Sequence, residues 1–399
     1  FFYFCIMREK IQIDLEDPGF IKQQLINWGR KEEYFMLLDS NDFALQAPNK
    51  QDYEYDFIAG FGCIESVESS ENEGFGTIRN FLNKTDDWVM GYFGYDLKNE
   101  LENLSSENID HLDFPGLHFF QPEYVLLTKK GKSEMHILPR NTTKSEAERT
   151  IDEILNTSKE SWNNGSDKPL NILGRFTKEE YLDTVKKLKK HIKWGDVYEI
   201  NFCQEYYAHG SIDPYQVYNR LAKISPSPFA CLYKNSDKFL LSSSPERFLR
   251  KRGNKVISQP IKGTMKRGTS AEEDERLKQA LYHDKKERAE NVMIVDLVRN
   301  DLSRTAKSDT VRVEELYGIY TFEQVHQMIS TVACEIHQED YLHCIRNCFP
   351  MGSMTGAPKV SAMKLIEKYE KTKRGLYSGA VGYFTPDKDF DFNVVIRSI

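Results

Sequence analysis

Residues 239–264 read FLLSSSPERFLRKRGNKVISQPIKGT, and this stretch contains the pattern that decides the fold. An apolar run at 239–241 leads into three serines, and a second run extends from Arg247 to Ile261 around a turn at Arg252-Gly253-Asn254. Neighbouring strand-like runs joined by a short turn with glycine are typical of an antiparallel hairpin. The stretch therefore predicts antiparallel strand pairs in the second half of the chain.

The rest of the chain alternates between strand-like and helical patterns. Strand-like apolar runs occur at 34–38, 88–93 and 124–127, and a last hairpin turns at 385–389. Helical patterns cover 181–192, preceded by a capping box of Thr177 and Glu180, and 271–304. Adjacent strand pairs interrupted by long helices favour an α+β fold with antiparallel sheets over a doubly wound parallel sheet.

A polar run at 156–167 is the clearest break in composition. It is rich in turn residues and has little to bury, which predicts a linker or surface loop at 156–170. The break separates an amino-terminal subdomain, 1–155, from a second subdomain, 171–399. We expect the two subdomains to share one intertwined core.

Composition excludes several classes of protein. The 399 residues carry a net charge of -7, with 54 basic residues spread among 61 acidic ones, so a nucleic-acid partner is not expected. Eighteen consecutive apolar residues occur nowhere, so no membrane span is expected, and the apolar run 1–7 predicts a buried strand. Seven scattered cysteines without a Cys-x-x-Cys pair are typical of reduced thiols and predict a cytoplasmic protein.

Lys262 is the candidate nucleophile, in a sequence, Pro260-Ile261-Lys262-Gly263-Thr264, that reads as a tight turn. An ordinary lysine is neutral at pH 7 only at a cost of about 4.6 kcal/mol, so the site has to favour the neutral amine. Two nearby cations, Lys266 and Arg267, are candidates for that effect. Local sequence alone also fits a solvated loop cation.

Seven motifs, in order along the chain, resemble those of the chorismate-utilising enzymes. They are GDVYEIN (195–201), SPERF (244–248), PIKGT (260–264), ERAEN (287–291), DLVRNDL (296–302), GAPK (356–359) and YSGAVGY (377–383). The family includes the large subunits of anthranilate synthase and aminodeoxychorismate synthase, and isochorismate and salicylate synthases. The resemblance implies two antiparallel sheets packed as a sandwich with helices outside, and an amino-terminal subdomain like that of anthranilate synthase component I.

Lysine at position 262 distinguishes between members of the family. Sequences that resemble anthranilate synthase typically have alanine there, whereas those that resemble aminodeoxychorismate synthase component I typically have lysine. The resemblance thus implies formation of 4-amino-4-deoxychorismate, the branch leading to p-aminobenzoate and folate. The alternatives are anthranilate synthase component I and a non-catalytic subunit that binds chorismate or an amino acid.

The resemblance also implies a mechanism. Lys262 would add to ring carbon 2 of chorismate and expel the 4-hydroxyl, to which Glu246 would give a proton as general acid. Glu246 must then be protonated near neutral pH, through burial or a neighbouring carboxylate. An ion pair with Arg247 is the alternative that local sequence allows. Ammonia would attack carbon 4 and release Lys262.

Magnesium is the cofactor that the resemblance implies, because a cation on the ring carboxylate stabilises charge when a nucleophile adds to carbon 2. Glu290 matches one family ligand, with a solvated helix-face glutamate as the alternative. The family's second glutamate belongs to a segment expected to follow Ile399.

Further residues match family positions that bind substrate. Arg397 matches an arginine that binds a carboxylate, Tyr377 matches a tyrosine that hydrogen-bonds substrate, and Gly263, Thr264 and Ser353 lie at matching turns. His326 matches a histidine near the leaving group, and a core histidine is an equal alternative.

Two further expectations concern regulation and partners. Leu38 and Ser40, with Pro228 and Phe229, resemble the walls of an amino-acid pocket that binds tryptophan in relatives; Asp39 departs from the usual glutamate, which favours a structural strand. The chain has no cysteine in a glycine-flanked nucleophile turn. A glutamine amidotransferase partner that delivers ammonia is therefore expected.

Overall fold

The computed structural model describes residues 8–14, 18–41, 43, 54–70, 72–102, 104–129, 134–157 and 169–399. The predicted strand at 1–7 and most of the predicted linker, 158–168, lie outside these residues. Among the helices of the described residues, none has the length and apolar character needed to cross a membrane.

Twenty-one strands are described. They are β1 (Ile11–Asp14), β2 (Tyr34–Asp39), β3 (Tyr55–Phe61), β4 (Glu65–Ser69), β5 (Val89–Phe93), β6 (Leu117–Gln121), β7 (Tyr124–Lys129), β8 (Glu134–Pro139), β9 (Leu173–Gly174), β10 (Glu199–Ile200), β11 (Tyr206–Tyr207), β12 (Phe229–Asn235), β13 (Lys238–Ser244), β14 (Arg247–Arg252), β15 (Lys255–Gln259), β16 (Ile261–Lys266), β17 (Arg312–Thr321), β18 (Val325–Glu335), β19 (Gly356–Ala357), β20 (Ala380–Phe384) and β21 (Phe390–Val394).

Ten α-helices are described, together with short 3₁₀ turns. The helices are α1 (Pro18–Trp28), α2 (Gly74–Thr85), α3 (Lys98–Glu102), α4 (Lys144–Leu155), α5 (Lys178–Trp194), α6 (Pro214–Ile224), α7 (Ala271–His283), α8 (Lys285–Ser303), α9 (Tyr341–Cys348) and α10 (Lys359–Tyr369). The 3₁₀ turns are Tyr95–Leu97, Gln338–Asp340 and Gly352–Met354.

Two large antiparallel sheets organise the molecule. One has seven strands in the order β1-β8-β7-β3-β2-β12-β13, and the other has ten, in the order β16-β18-β15-β14-β21-β20-β5-β6-β4 with β17 paired to β18. Apolar side chains from both sheets, among them Met36, Tyr92 and Tyr233, form one core cluster between them. The sheets therefore pack face to face, as a sandwich.

Helices cover the outer faces of the sandwich. One core cluster joins the seven-stranded sheet to α1, α4 and α6. Another joins the ten-stranded sheet to α2, α8 and α9. Each sheet thus buries both of its faces, and the predicted α+β sandwich with helices outside is confirmed.

Both sheets mix strands from the two sides of the polar segment 156–170. The seven-stranded sheet adds β12 and β13 to five strands from the first part of the chain, and the ten-stranded sheet includes β4, β5 and β6. The two parts of the chain accordingly share their cores. The proposed boundaries at 155 and 171 stay a prediction.

The hairpin predicted within 239–264 is confirmed, since β14 and β15 pair on either side of Gly253, which has a positive φ of 55°. The predicted tight turn at 260–264 is wrong. β15 and β16 follow one another along the same strand, β18, with a register shift between Ile261 and Thr264. Backbone pairing with β18 keeps the segment extended, and Gly263, at φ 97°, provides the irregularity. Lys262 therefore lies on a bulged strand.

The helical patterns are confirmed with one correction. Thr177 and Glu180 form the predicted capping box of α5. The stretch 271–304 is two helices, because the Asp284 carboxylate accepts hydrogen bonds from the backbone N–H groups of Lys286 and Glu287 and begins α8 there. This break fixes the start of the helix that carries Glu290.

A buried ion pair locks α8 to α10. The Lys359 ammonium lies 2.6 Å from a carboxylate oxygen of Asp301, and both side chains are less than one-tenth exposed. We expect Lys359→Met to lower the free energy of unfolding by about 3–5 kcal/mol, because it leaves a buried carboxylate without its counter-ion. Chemical denaturation measures the change.

The matched control is Lys371→Met, which breaks an exposed pair with Glu180 and should cost less than about 1 kcal/mol. The double variant with Asp301→Asn should regain part of the loss, because the uncompensated charge is gone. If Lys359→Met and Lys371→Met lowered the free energy of unfolding equally, the buried pair of Lys359 and Asp301 would not be the stabilising contact.

Candidate active site

Glu246 lies directly before β14, and its side chain is buried, with the residue 5% exposed. Burial raises the pKa of Glu246 to about 7, while a hydrogen bond from Ser353, the charge of Lys262 and the backbone N–H of Ile261 oppose that rise. Removal from water is the dominant cause because it penalises the charged form. The carboxyl can therefore hold a proton near neutral pH, as a general acid requires.

Lys262 lies on β16 with its side chain 22% exposed. Its charge acts on the Glu246 carboxyl. The Lys262 ammonium also lies 3.6 Å from a carboxylate oxygen of Glu199, whose side chain is 15% exposed. The candidate nucleophile thus has one acidic neighbour on each of two separate segments of the chain.

Glu199 is the site residue that sequence reasoning missed. It belongs to the GDVYEIN motif, but only the fold brings its carboxylate to within 3.6 Å of Lys262 on β16. Burial raises the pKa of Glu199, the charge of Lys262 opposes that rise, and the charge of Glu290 adds to it. The sequence signal that could have indicated Glu199 is its position as a glutamate within the GDVYEIN motif.

The two cations that follow Lys262 in sequence point to other partners. Arg267 forms a fork with the Asp274 carboxylate, at 2.8 Å, and donates to the carbonyl of Phe322. This contact holds the pKa of Asp274 well below its usual range. Lys266 is exposed and acts on Glu273. Among the described contacts, both cations have partners other than Lys262, so the structure lends no support to them as the source of its activation.

Glu290 lies on α8, one turn after Lys286, with its side chain 31% exposed. The Lys286 ammonium lies 2.9 Å from Glu290 and 3.2 Å from Glu287, so the two carboxylates converge on one cation. In the part of the chain that is described, three or more acidic, histidine or cysteine side chains nowhere form a metal-binding group. Magnesium keeps several waters and takes one or two carboxylates, so this donor set fits it.

Of the predicted substrate-binding residues, one contacts Glu246 and the others have different neighbours. Ser353 is buried and donates its hydroxyl to Glu246, so it supports the acid directly. Gly263 packs against Glu287, because a Cβ added at position 263 would lie 3.2 Å from the Glu287 Cβ. Thr264 is exposed on β16, and Tyr377 is 37% exposed and hydrogen-bonded to Cys203.

Arg397 follows β21 and its residue is exposed. Partial removal of its guanidinium from water lowers the pKa of Arg397, and among the described residues no carboxylate lies within ion-pair distance of that group. Its carbonyl accepts a hydrogen bond from the Ser243 N–H, three residues before Glu246. A cation without a described counter-ion suits a carboxylate ligand. That role stays a prediction.

His326 is 1% exposed, on β18. One ring nitrogen lies 3.0 Å from Asp274 and the other 3.0 Å from the Thr321 hydroxyl. Both ring nitrogens therefore have partners, as in a hydrogen-bonded core histidine. These contacts favour the core alternative, and a role for His326 at the leaving group stays a prediction.

The four residues predicted to form an amino-acid pocket line one cavity between the two sheets. Leu38, Ser40, Pro228 and Phe229 meet there, and Arg247 lines the opposite wall. Arg247 forms a fork with Asp391 and lies 4.9 Å above the Phe229 ring. The alternative that paired Arg247 with Glu246 is thereby replaced by a pair with Asp391. Amino-acid binding in this cavity stays a prediction.

Known proteins are similar to this chain. Residues 40–399 match the family model described as chorismate binding enzyme. Aminodeoxychorismate synthase component 1 of Bacillus subtilis is 33% identical over 322 residues, covering 78% of this chain and 68% of that protein. Anthranilate synthase component 1 of Aquifex aeolicus is 35% identical over 325 residues, covering 78% of this chain and 66% of that protein. The chain spans about two thirds of the length of these relatives.

A solved structure of anthranilate synthase component I from Streptococcus pneumoniae superposes with a TM-score of 0.73 at 23% identity, covering 86% of this chain and 83% of that one. This similarity supports the sandwich fold. The family match extends over almost all of the sequence, so the chain belongs to the chorismate binding enzymes. The resemblance inferred from the seven motifs is confirmed.

Glu246 gives a prediction for activity against pH. Only its protonated form can donate, so chorismate consumption should fall as the pH rises through about 7. Glu246→Gln should lower the rate about 10²-fold to 10⁴-fold at pH 7, because an amide cannot supply the proton. Initial rates measured across the pH range test both statements. A fall centred well below pH 7, or an active amide variant, would contradict them.

The same group gives a prediction for stability. The pKa of Glu246 is higher in the folded protein than in the unfolded chain, so protonation of this group favours folding at low pH. Its contribution to the free energy of unfolding is lost as the pH rises from about 4.3 to about 7. Over that pH range the free energy of unfolding of wild type should therefore fall by up to about 3 kcal/mol more than that of Glu246→Gln. Denaturant titrations at pH 5 and at pH 8 measure the difference, and parallel losses would refute it.

Proposed function

We propose that this protein is an aminodeoxychorismate synthase component I, which converts chorismate and ammonia to 4-amino-4-deoxychorismate. The observation that carries the proposal is the placement of Lys262 beside two acidic side chains, one of them Glu246 with a pKa of about 7. An acid near neutrality next to an amine provides the proton donor and the nucleophile for displacing a hydroxyl group.

The first half of the proposed reaction joins the enzyme to the substrate. The neutral amine of Lys262 bonds to ring carbon 2, the ring double bond shifts, and the bond from carbon 4 to its hydroxyl breaks. Hydroxide is a poor leaving group, so the departing oxygen takes the proton of Glu246 and leaves as water. Glu246 is then a carboxylate, which the nearby Ser353 hydroxyl and Ile261 N–H stabilise.

The second half releases the product. Ammonia bonds to carbon 4, the double bond shifts back, and the bond between carbon 2 and Lys262 breaks to regenerate the amine. The new ammonium at carbon 4 returns a proton to Glu246. The sum is chorismate plus ammonia giving aminodeoxychorismate plus water, and the two displacements leave the substituent at carbon 4 with its original configuration.

Magnesium is part of this proposal, with Glu290 as a ligand and Glu287 as a second carboxylate nearby, since both lie within 3.2 Å of the Lys286 ammonium. When bound, the ion would stabilise negative charge on the substrate's ring carboxylate. Arg397, an exposed cation without a counter-ion among the described contacts, would bind the other carboxylate.

A glutamine amidotransferase partner is also proposed as the source of ammonia. At neutral pH free ammonia is mostly ammonium, which has no lone pair with which to attack carbon 4. A partner that releases ammonia beside the site avoids this loss. The cytoplasmic location expected from the cysteine pattern remains a prediction.

Anthranilate synthase component I is the second candidate, because relatives of both kinds match at similar identity. The two differ in where the nitrogen is attached and in whether pyruvate is released. The lysine at position 262 favours the first candidate, since an enzyme that adds ammonia directly to carbon 2 has no use for a second nucleophile there.

Product analysis with chorismate, ammonium and magnesium tests the proposal. Wild type should yield aminodeoxychorismate without pyruvate, and Lys262→Ala should lower that yield about 10²-fold or more, because the positioned nucleophile is lost. Chromatography and a pyruvate assay measure the products. Lys266→Ala, which alters an exposed lysine on the same strand, is the matched control and should keep wild-type activity.

Anthranilate and pyruvate from wild type would establish the second candidate instead. Full activity in Lys262→Ala would exclude the covalent step. Mass spectrometry of the peptide that contains Lys262 adds a direct readout, since an adduct increases its mass by that of chorismate less one water.

The magnesium assignment has its own test, which does not depend on turnover. Calorimetric titration of wild type with Mg²⁺ should show binding that Glu290→Gln weakens about tenfold or more, because one of few charged ligands is lost. Glu275→Gln, an exposed glutamate on α7, is the control. Unchanged Mg²⁺ affinity in Glu290→Gln would remove this residue from the metal site.

A further inference from the structure

Lys262 has to lose a proton before it can act as a nucleophile, and the described structure offers one acceptor in contact with it. The Glu199 carboxylate lies 3.6 Å from the Lys262 ammonium. The other acidic neighbour, Glu246, has to hold its own proton for the leaving hydroxyl, so it is unsuited to accept a second one. A separate acceptor is therefore required by the proton balance of the reaction.

We infer that Glu199 is a catalytic residue, the proton acceptor that frees the Lys262 amine and protonates it again on release. This inference rests on the proposed covalent role of Lys262. In the first step the proton moves from the Lys262 ammonium to a Glu199 oxygen, leaving a neutral amine and a neutral carboxylic acid. Glu199 keeps the proton while Lys262 is bonded to carbon 2, and returns it after the carbon–nitrogen bond breaks.

The position of Glu199 in the fold suits this role. It begins the short strand β10, whose partner β19 belongs to the segment that follows the buried Ser353, so Glu199 is held against the site by backbone pairing. Its side chain is only 15% exposed. The backbone carbonyl of Glu199 also lies over Gly356, where an added Cβ would come too close to it. A fixed, shielded carboxylate is a better acceptor than a mobile surface one.

Burial of Glu199, more than the charges around it, favours the proton transfer. The groups that act on it are Lys262 on β16 and, on α8, Glu290 and Lys286, whose opposite charges offset one another. Burial raises the pKa of Glu199 and is the largest influence. Bound substrate would exclude more water, and loss of water favours a neutral amine and acid over an ion pair.

The pH dependence of Glu199→Gln tests the inference. We expect this variant to be about 10²-fold slower than wild type at pH 7, because the amide accepts no proton. The deficit should shrink as the pH rises toward about 9.5, because hydroxide in solution then removes the proton instead. Initial rates are compared with wild type at each pH, with magnesium and a constant concentration of free ammonia.

Glu205→Gln is the matched control. Glu205 is six residues further along the same segment, has a side chain 23% exposed and pairs with Arg175 at 2.8 Å. Its substitution should leave the rate at the wild-type level at every pH. A deficit in Glu199→Gln that is equal at every pH, or the absence of a deficit, would overturn the inference.

A second variant keeps the test decisive if the amide variant does not fold. Glu199→Ala should recover activity at pH 7 when formate is added, because a free carboxylate can enter the vacated space and accept the proton. Formate should not stimulate wild type. Failure of formate to stimulate a folded Glu199→Ala protein would count against the inference.

The outcome is separable from that of the proposed function. The wild-type product, aminodeoxychorismate or anthranilate, decides the function without reference to Glu199. If wild type forms aminodeoxychorismate and the pH and formate tests fail, only the role of Glu199 is lost. If wild type forms anthranilate, the covalent role of Lys262 and the inference built on it are both wrong.

Discussion

Burial of one carboxyl group, that of Glu246, is the constraint on which the rest of the site depends. Water is kept away from it by strand pairing on both sides: Arg247 pairs with β15 and β21, and the Glu246 carbonyl accepts the N–H of Val394. A carboxyl removed from water holds its proton at a pH where an exposed one has lost it. The sandwich thus produces an acid at neutral pH with a single side chain, without a second carboxylate.

The charged side chains around Glu246 and Lys262 form ion pairs with one another. Arg247, next to Glu246 in sequence, donates to Asp391 and Gln259. Lys262 and Glu199 balance each other at 3.6 Å, and Lys286 balances two carboxylates on α8.

Much of the fold follows from local sequence, because strand runs, the capping box at Thr177 and the hairpin at Gly253 depend on residues close together in the chain. The tight turn expected around Lys262 failed because pairing with β18, some sixty residues further on, holds that segment extended. The family motifs pointed to Glu246 and Lys262, whose charges interact in the structure; their catalytic roles stay a prediction. Glu199 could not be assigned that way, since its contact with Lys262 joins two segments about sixty residues apart. Arg267, five residues after Lys262, instead pairs with Asp274 on α7, because adjacency in sequence does not determine which partner a side chain meets.

The protonation state of Glu246 is the central claim, and infrared difference spectroscopy measures it most directly. The spectrum of wild type minus that of Glu246→Gln isolates the carbonyl band of the protonated acid in the full chain. We predict that this band persists at neutral pH and disappears with a midpoint of about 7. A band that has already disappeared near pH 5, as for a solvated glutamate, would contradict it.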